Sequence, residues 1–222
     1  MLRYSYFKKL TYNCELRIPN SELIMDKLQY ERELLNKGYK YICGVDEVGR
    51  GPLAGPVVCA AVIMPFDDVI EGVDDSKKLS AKKRKILSEK ILQKAIAYRI
   101  CAVEPQIIDE INILQATRLC MKNAVGGLEI APDFVLTDGN MTLDITAPQR
   151  SVIKGDALSY SIGAASIIAK VYRDNLMAGY AKAYPQYGFE SNVGYGSAAH
   201  IEAIKKYGLT PLHRRSFTKK WQ

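Results

Sequence analysis

The sequence predicts an α/β fold in which helices cover a mixed β-sheet. Three apolar runs, at residues 41–48, 57–64 and 97–103, have the length and composition of buried strands. Two shorter strands are predicted at residues 134–137 and 152–153, among helical stretches. An order of strands first, followed by strands mixed with helices, favours a mixed sheet covered by helices.

The predicted helices are bounded by residues that start or stop helices. In chain order they cover residues 21–36, 80–94, 105–125, 158–183 and 197–207. Gly38 ends the first helix, which is amphipathic, and Ser80 is the N-cap of the second. Pro105 opens the third, which we expect to run in pieces. The fourth begins with small residues, which allow close packing against a sheet.

The composition is that of a globular protein without a membrane segment. The chain has 222 residues, of which 48% are hydrophobic and 25% are charged, and this length suits one domain with an appendage. The longest apolar run has eight residues, far fewer than the ~20 that a membrane span requires. The N-terminus is basic with no apolar region behind it, unlike a secretory signal. We therefore expect a soluble, cytoplasmic protein.

Cysteine and histidine usage restricts the metal chemistry that this chain can perform. The five cysteines show no Cys-x-x-Cys spacing, which indicates free thiols in a reducing compartment and no zinc site. Two histidines in the whole chain make a histidine-built metal centre improbable. Any bound metal is therefore expected to use oxygen ligands.

The net charge of +7 is concentrated in two segments. Residues 76–94 contain eight basic residues and one acid, and residues 205–220 contain six basic residues and no acid. The rest of the chain is therefore net negative. A single lysine-rich segment is usually a solvated helix face, but two such segments on an acidic chain favour a polyanionic partner such as nucleic acid. Charge alone leaves open whether the protein is an enzyme or a passive binder.

Four carboxylates lie at or near the ends of predicted strands. Asp46 and Glu47 belong to an apolar strand, where a charge is costly to bury without a cation or several donors. Neighbouring strand residues point to opposite faces, so both acids can serve one site only where the strand bulges or ends. The alternative is that one acid lies at an edge and the other pairs with a lysine.

Asp138 and Asp156 also have ordinary interpretations when each is taken alone. Asp138-Gly139 after a strand is typical of a hairpin turn, and Asp156 before a long helix is typical of an N-cap. Four acids that converge on one sheet edge, however, repel one another and need divalent cations to hold them together. Oxygen-only ligation selects Mg²⁺ or Mn²⁺.

Five motifs occur in an order that identifies a family. They are GVDEVGRGPLAGPVV at residues 44–58, DSKKL at 75–79, Asp138-Gly139, KGDALSYSIGAASIIAKVYRD at 154–174, and GYG followed by HRRSF near the end. Over about residues 30–217 the chain resembles bacterial ribonuclease HII. The type III relatives share the Asp-Glu start, but the Gly-Arg-Gly turn favours type II. Gly163 stands where the family pattern has alanine, at a position that we expect to touch no ligand residue.

The resemblance implies a ribonuclease H-like mixed sheet flanked by helices, with a small helical C-terminal subdomain. We expect a helical N-terminal extension over residues 1–38, a catalytic core over 39–190 and a basic, helical C-terminal subdomain over 191–222. The resemblance itself implies nothing about the segment before Tyr30, which varies within the family.

The resemblance also implies a metal-dependent endonuclease. The family cleaves the RNA strand of RNA–DNA hybrids and incises 5′ of single ribonucleotides in duplex DNA, leaving 5′-phosphate and 3′-hydroxyl ends. Asp46, Glu47, Asp138 and Asp156 match its four metal-binding, catalytic acids. The cofactors implied are Mn²⁺ or Mg²⁺, with two ions in the reactive complex, and the partners are hybrid and ribonucleotide-containing duplexes. We expect a monomer.

The remaining matches concern substrate binding. Gly49, Arg50 and Gly51 match the turn that senses the ribonucleotide 2′-hydroxyl, although an ordinary turn between strands would also contain glycines. Tyr195 matches the tyrosine that stacks on the sugar at the RNA–DNA junction. Lys77 is placed for a phosphate, and Arg214 and Arg215 for the duplex backbone, unless they are solvated charges. His213 is interpreted as a structural hydrogen-bonding residue.

Two alternative functions remain open at this point. A non-catalytic nucleic-acid-binding module would show salt-sensitive binding without strand scission. A resolvase or integrase on the same fold would cut DNA that contains no ribonucleotide.

Overall fold

A computed structural model of the chain describes residues 27–221, which form one five-stranded sheet with helices on both faces. The strands are β1 (Ile42–Val48), β2 (Val57–Ile63), β3 (Ala97–Val103), β4 (Phe134–Asp138) and β5 (Gln149–Val152). Their order across the sheet is β3-β2-β1-β4-β5. β2 is antiparallel to β1 and β3, whereas β4 is parallel to β1 and β5. The predicted mixed sheet covered by helices is therefore confirmed.

Eight α-helices surround this sheet in the described residues. They are α1 (Gln29–Asn36), α2 (Ala81–Lys94), α3 (Pro105–Gly126), α4 (Gly155–Leu158), α5 (Tyr160–Ala183), α6 (Phe189–Asn192), α7 (Ala198–Tyr207) and α8 (Arg215–Thr218), with short 3₁₀ helices at Pro185–Tyr187 and Lys219–Trp221. No helix among residues 27–221 combines the length and apolar character that crossing a bilayer demands.

The core is divided by β2, whose seven residues are all buried. Alternate residues of β2 belong to different apolar clusters, because successive side chains of a strand point to opposite faces. Val57 and Cys59 pack with residues of α3, whereas Val58 and Ala60 pack with residues of α2 and α5. Burial on both faces explains why this segment reads as an uninterrupted apolar run.

Several predicted boundaries are confirmed and three are corrected. Ser80 caps α2 by accepting a hydrogen bond from the amide of Lys83, and α3 is broken at Asn112, where φ is +66°. The long helix begins at Tyr160 rather than at residue 158, because Ser159 adopts an extended backbone and caps α5. β5 lies at residues 149–152, slightly earlier than predicted.

The N-terminal helix is the third correction. Its described part is Gln29–Asn36, and the rest of the prediction, residues 21–26, lies outside the described residues. Leu34 is the apolar residue of α1 that is buried, whereas Leu35, which the predicted spacing placed on the apolar face, is 37% exposed. Gly38 follows the helix with a φ of +92°.

A third apolar cluster lies around the C-terminal helices. It joins Phe189 and Ile204 to Leu53 and Ala54, which precede β2, and to Met177 of α5. Because this cluster includes residues from both sides of residue 190, the division of the chain into a core and a C-terminal subdomain stays a prediction.

Two buried histidines connect the C-terminal helices. The Thr210 amide donates to His213 Nδ1 at 2.9 Å, His213 Nε2 lies 3.1 Å from His200 Nε2, and His200 Nδ1 lies 2.8 Å from the Tyr195 carbonyl oxygen. A carbonyl can only accept, so each contact is satisfied when both rings are neutral, with His213 donating to His200 and His200 to Tyr195. Burial lowers the pKa of both rings, and the neighbouring His200 helps to lower that of His213 to about 4.

This histidine pair predicts a loss of stability in mild acid. An unfolded chain protonates His213 near the usual pKa of about 6.5, whereas the folded chain does so only near 4. The stabilisation is therefore complete above pH 6.5 and is lost as the pH falls towards 4. Urea unfolding should show a free energy about 1 to 2 kcal/mol lower at pH 5 than at pH 7 from this residue.

The matched variant is His213→Gln, which keeps a donor towards His200 but cannot titrate. Its unfolding free energy should fall less than that of the wild type over the same pH interval. An equal fall in both proteins would contradict the assignment.

Candidate active site

Three carboxylates meet at one edge of the sheet. Asp46 and Glu47 lie near the end of β1, and Asp138 ends β4. Because β1 and β4 are parallel neighbours, their carboxyl ends point the same way. One oxygen from each of the three side chains lies within 4.8 Å of the others.

The neighbouring acids on β1 converge without a break in that strand. The sequence argument expects the strand to bulge or end at the acids, and this expectation is wrong, because pairing with β2 continues through Val48. Pairing with β4 stops at Val45. Asp46 and Glu47 therefore have no paired residue on the β4 side of the strand. Asp46 Oδ1 also turns back to accept the Glu47 amide at 2.7 Å.

A close approach of helix α5 places the site against the sheet. A Cβ atom at Gly44 of β1 would overlap the backbone of Ser161 and Ile162 in α5. Glycine is therefore required at this crossing, where the helix backbone packs directly on the strand. The small residues at the start of α5 serve the packing that the sequence predicts.

Asp156 lies in the short helix α4, beside Asp138 but outside the three-carboxylate group. The amide of Gly155 donates to Asp138 Oδ1 at 2.6 Å, and the amide of Asp156 lies 3.4 Å from the same oxygen. Lys154, in the left-handed region with a φ of +58°, precedes α4. The alternative interpretation of Asp156 as an N-cap is wrong, because it lies within α4 and Ser159 caps the long helix.

The pKa values show how unfavourable this arrangement of charge is. Burial, followed by the charges of Glu47 and Asp138, raises the pKa of Asp46 well above its usual range. Burial also raises the pKa of Glu47 and of Asp156, and the Asp138 charge raises both further. The carboxylates therefore need positive charge to stay ionised together.

The donor set fits divalent cations. Every candidate ligand is a carboxylate oxygen, as Mg²⁺ and Mn²⁺ prefer. Glu47 Oε2 is buried and has no hydrogen-bond partner within the described chain, although buried polar atoms are normally satisfied. Such an atom, within a group of three acids, indicates a ligand position for a cation.

Two basic side chains lie beside the acids. Arg50 Nη1 is 3.3 Å from Glu47 Oε1. Burial lowers the pKa of Lys77, but the charges of Asp156, Asp46, Asp75 and Asp138 outweigh it and raise that pKa overall. Lys77 is exposed, so its ammonium group lies near the acids and within reach of solvent.

The turn at residues 49–51 and the Tyr195 ring form one surface. Arg50 and Gly51 are exposed, and Tyr195 is 48% exposed. A Cβ at Gly51 would lie 3.5 Å from Tyr195 Cε1. The structure therefore brings the predicted 2′-hydroxyl sensor and the predicted stacking residue together, next to Glu47, which Arg50 contacts.

The predicted contact of Arg214 with a duplex is wrong. The Arg214 side chain is fully buried and its guanidinium donates to backbone carbonyls beneath the turn. Arg215 is exposed, and its amide donates to Asp109. The basic pair in HRRSF thus has one buried member and one surface member. Exposed Lys82, Lys83, Lys85 and Lys90 keep the first basic segment on the surface of α2.

Sequence reasoning missed several residues that support the site. The Ser166 hydroxyl lies 2.9 Å from that of Ser76, in the loop that carries Lys77, and Ser166 offsets part of the rise in the pKa of Asp46. Gly163 also matters more than predicted, because a Cβ there would lie 3.0 Å from the Asp156 backbone oxygen. No spacing signal marks a serine or a glycine within a run of small residues.

Glu31 is the other missed residue. It is fully buried in α1, and its Oε1 accepts the Ser159 hydroxyl at 2.6 Å and the Ser161 amide at 3.0 Å. Burial raises its pKa. Ser159 joins α4, which carries Asp156, to α5, so α1 holds the backbone on which this acid depends. A carboxylate in an amphipathic helix looks solvent-facing from sequence alone.

Comparison with known proteins gives a consistent result. The family model described as Ribonuclease HII matches residues 43–220. A protein named Ribonuclease HII from Ligilactobacillus salivarius is 52% identical over 214 residues, covering 96% of this chain and 82% of the relative. One of the same name from Leuconostoc mesenteroides is 56% identical over 196 residues, covering 88% and 77%.

Solved structures show the same fold. The crystal structure of ribonuclease H2 from Pyrococcus horikoshii matches with a TM-score of 0.70 and 29% identity, covering 82% of this chain and 97% of that one. A structure of the PCNA:RNase HII complex from Archaeoglobus fulgidus matches with a TM-score of 0.67 and 25% identity, covering 79% and 94%.

The acidic cluster predicts a metal-dependent gain in stability. Adding Mn²⁺ or Mg²⁺ at about 100 times its Kd should stabilise the wild type by about 2.7 kcal/mol, a rise in Tm of about 5 to 10 °C. Asp46→Asn should abolish this rise, and its metal-free Tm should be no lower than that of the wild type. Asparagine can keep accepting the Glu47 amide without a buried charge.

Asp144→Asn is the matched control, because Asp144 is an exposed acid that pairs with Lys122. It should keep the full metal-dependent rise in Tm. A rise of wild-type size in Asp46→Asn would show that the ions bind elsewhere.

The Glu31 contacts predict a second stability effect. Glu31→Ala leaves the Ser159 hydroxyl and the Ser161 amide without their acceptor and should lower the free energy of unfolding by about 1 to 3 kcal/mol. Glu31→Gln keeps that acceptor and should lose less. Urea unfolding of both variants tests this expectation, and equal losses would mean that the acceptor oxygen is unimportant.

Proposed function

Because the chain belongs to the ribonuclease HII family, and so is an endoribonuclease that acts on RNA–DNA hybrids, we propose that it also incises duplex DNA on the 5′ side of single ribonucleotides. The observation that carries this proposal is the single surface formed by the acids, the turn at residues 49–51 and the Tyr195 ring. On that surface a phosphodiester and the sugars on both sides of it can be contacted at once.

We propose that Asp46, Glu47, Asp138 and Asp156 hold two divalent ions, Mg²⁺ or Mn²⁺. Ions held by these acids would supply the activation of a water and the stabilisation of the leaving 3′ oxygen, which would give 5′-phosphate and 3′-hydroxyl ends. The orphaned Glu47 Oε2 and the raised pKa values of Asp46, Glu47 and Asp156 support this role. The protein holds these acids in place through backbone donors, such as the Gly155 amide on Asp138.

Substrate recognition follows from the groups around the acids. The glycines at 49 and 51 allow the backbone to approach a sugar closely, and the 2′-hydroxyl is the group that distinguishes RNA from DNA there. Tyr195 is exposed beside this turn and offers its ring to the next sugar. Lys77 offers a cation to a phosphate at the site, and Arg215 and the exposed α2 lysines offer cations to the duplex backbone.

All these groups come from one chain, which supports a monomer as the working unit. The proposed partner is a duplex, either an RNA–DNA hybrid or DNA that contains a ribonucleotide.

The test is a cleavage assay on a labelled DNA duplex with one ribonucleotide, beside an all-DNA duplex, with and without Mn²⁺. We expect scission of the first substrate only, with metal only, on the 5′ side of the ribonucleotide. Asp46→Asn should abolish cleavage and leave hybrid binding largely intact, because the basic groups that contact the duplex are unchanged. Asp144→Asn should cut like the wild type.

Three results would overturn the proposal. Scission of the all-DNA duplex would indicate a different nuclease, and salt-sensitive binding without scission would indicate a binding module. Wild-type cleavage by Asp46→Asn would show that the metal ligands are assigned wrongly.

A further inference from the structure

Two arginines are fully buried beneath the proposed ribose-sensing turn. Arg173 comes from α5 and Arg214 from the residue before α8. Both side chains have no exposed surface, and among residues 27–221 neither forms an ion pair with a carboxylate. Buried arginines are usually paired with acids, so these two have another role.

Arg214 is bonded to the turn itself. Its Nη2 donates to the Gly49 carbonyl at 2.5 Å and to the Gly55 carbonyl at 2.8 Å, and its Nη1 donates to the Arg50 carbonyl at 2.8 Å. Its Nε donates to Gly55 as well, at 3.0 Å. The guanidinium therefore ties the two ends of the loop between β1 and β2 together.

Arg173 joins this loop to the one that carries Tyr195. Its Nε donates to the Pro56 carbonyl at 3.0 Å and its Nη2 to the Ala54 carbonyl at 3.1 Å, whereas its Nη1 donates to the Val193 carbonyl at 2.9 Å. One rigid group thus holds residues just before β2 and a residue two positions before Tyr195.

The two loops also contact each other directly. The Leu53 and Ala54 amides donate to the Gly194 carbonyl at 2.8 and 3.3 Å. A Cβ atom at Gly49, whose φ is +89°, would overlap Arg173 Nε. The turn is therefore packed against the arginine as well as bonded near it.

Arginine is suited to this task because its planar guanidinium presents several donors in a fixed geometry, whereas lysine presents a point charge on a flexible stem. The arrangement is electrostatically unfavourable. Burial, and then the charge of Arg173, lower the pKa of Arg214 to about 9. Two like charges buried side by side reduce stability, so packing alone does not account for them.

We propose that Arg173 and Arg214 are positioning residues that set the spacing between the turn at residues 49–51 and Tyr195, and through it the preference for a ribonucleotide followed by a deoxyribonucleotide. The inference rests on the proposed function. A single embedded ribonucleotide offers one place where a 2′-hydroxyl meets the turn while a deoxyribose lies under Tyr195. A uniform hybrid offers a ribose at every position and is less sensitive to this spacing.

The test compares Arg173→Lys and Arg214→Lys with the wild type on two substrates in Mn²⁺, a duplex with one ribonucleotide and a uniform RNA–DNA hybrid. Misplacement of substrate by about 1 Å costs up to about 100-fold in rate. We therefore expect the ratio of kcat/KM values, single ribonucleotide over hybrid, to fall by about 10- to 100-fold. Duplex binding measured without metal should change little, because neither guanidinium reaches the surface.

Met121→Ala is the control for lost stability, because Met121 lies in α3, is fully buried and belongs to a different apolar cluster. It should lower the urea midpoint without changing the ratio. If Arg214→Lys does not fold, Gly194→Ala gives the same test from the other loop, since its Cβ would overlap the Ala54 carbonyl.

The outcomes separate this inference from the proposed function. A wild type that cuts the ribonucleotide duplex, together with variants whose two kcat/KM values fall by one common factor, contradicts the positioning role alone. A wild type that leaves the ribonucleotide duplex uncut in Mn²⁺ overturns the proposed function, and this inference with it.

Discussion

Mutual repulsion among buried carboxylates is the constraint on which this structure depends. Asp46, Glu47 and Asp138 share one sheet edge, where burial and the charge of neighbouring acids disfavour the ionised forms of Asp46 and Glu47. The surrounding fold compensates with fixed donors and nearby cations: the Gly155 amide on Asp138, Ser166 on Asp46, and the Lys77 and Arg50 side chains. Each support comes from a different element, and the packing of α5 on β1 at Gly44 brings them together. The site is therefore a product of the whole sheet and its helices.

Charge is divided by depth as well as by sign. The exposed lysines of α2 face solvent, where a duplex can reach them. The guanidinium groups of Arg173 and Arg214 instead donate hydrogen bonds to backbone carbonyls inside the protein. Both groups contribute to the formal charge of +7. A count of basic residues cannot separate them, because the guanidinium in the interior and the one on the surface look identical in sequence. In HRRSF the two kinds are adjacent.

Much of the fold could be predicted from the sequence, since long periodic segments with recognisable caps fix it. β3 and the capped α2 are where the pattern places them, and the three acids of β1 and β4 lie at or near the ends of their strands, as predicted. Predictions failed where tertiary contacts decide. The motif predicts a duplex contact for Arg214 because a motif does not show which of its residues are buried. The helix α5 begins later than predicted because Glu31 accepts the Ser159 hydroxyl. Supporting residues such as Ser166 have no spacing signature at all.

The contact between α1 and Ser159 has a consequence for what counts as a complete unit of this family. The family model begins its match at residue 43, after α1 has ended. In this chain, however, Glu31 accepts the hydroxyl that starts α5, and the Tyr160 amide donates to the Lys27 carbonyl at 2.8 Å. A boundary drawn where the family model begins would therefore cut away the support of the segment that carries Asp156. The smallest piece able to hold the geometry of its acidic site therefore extends further towards the N-terminus than the region that the family model matches.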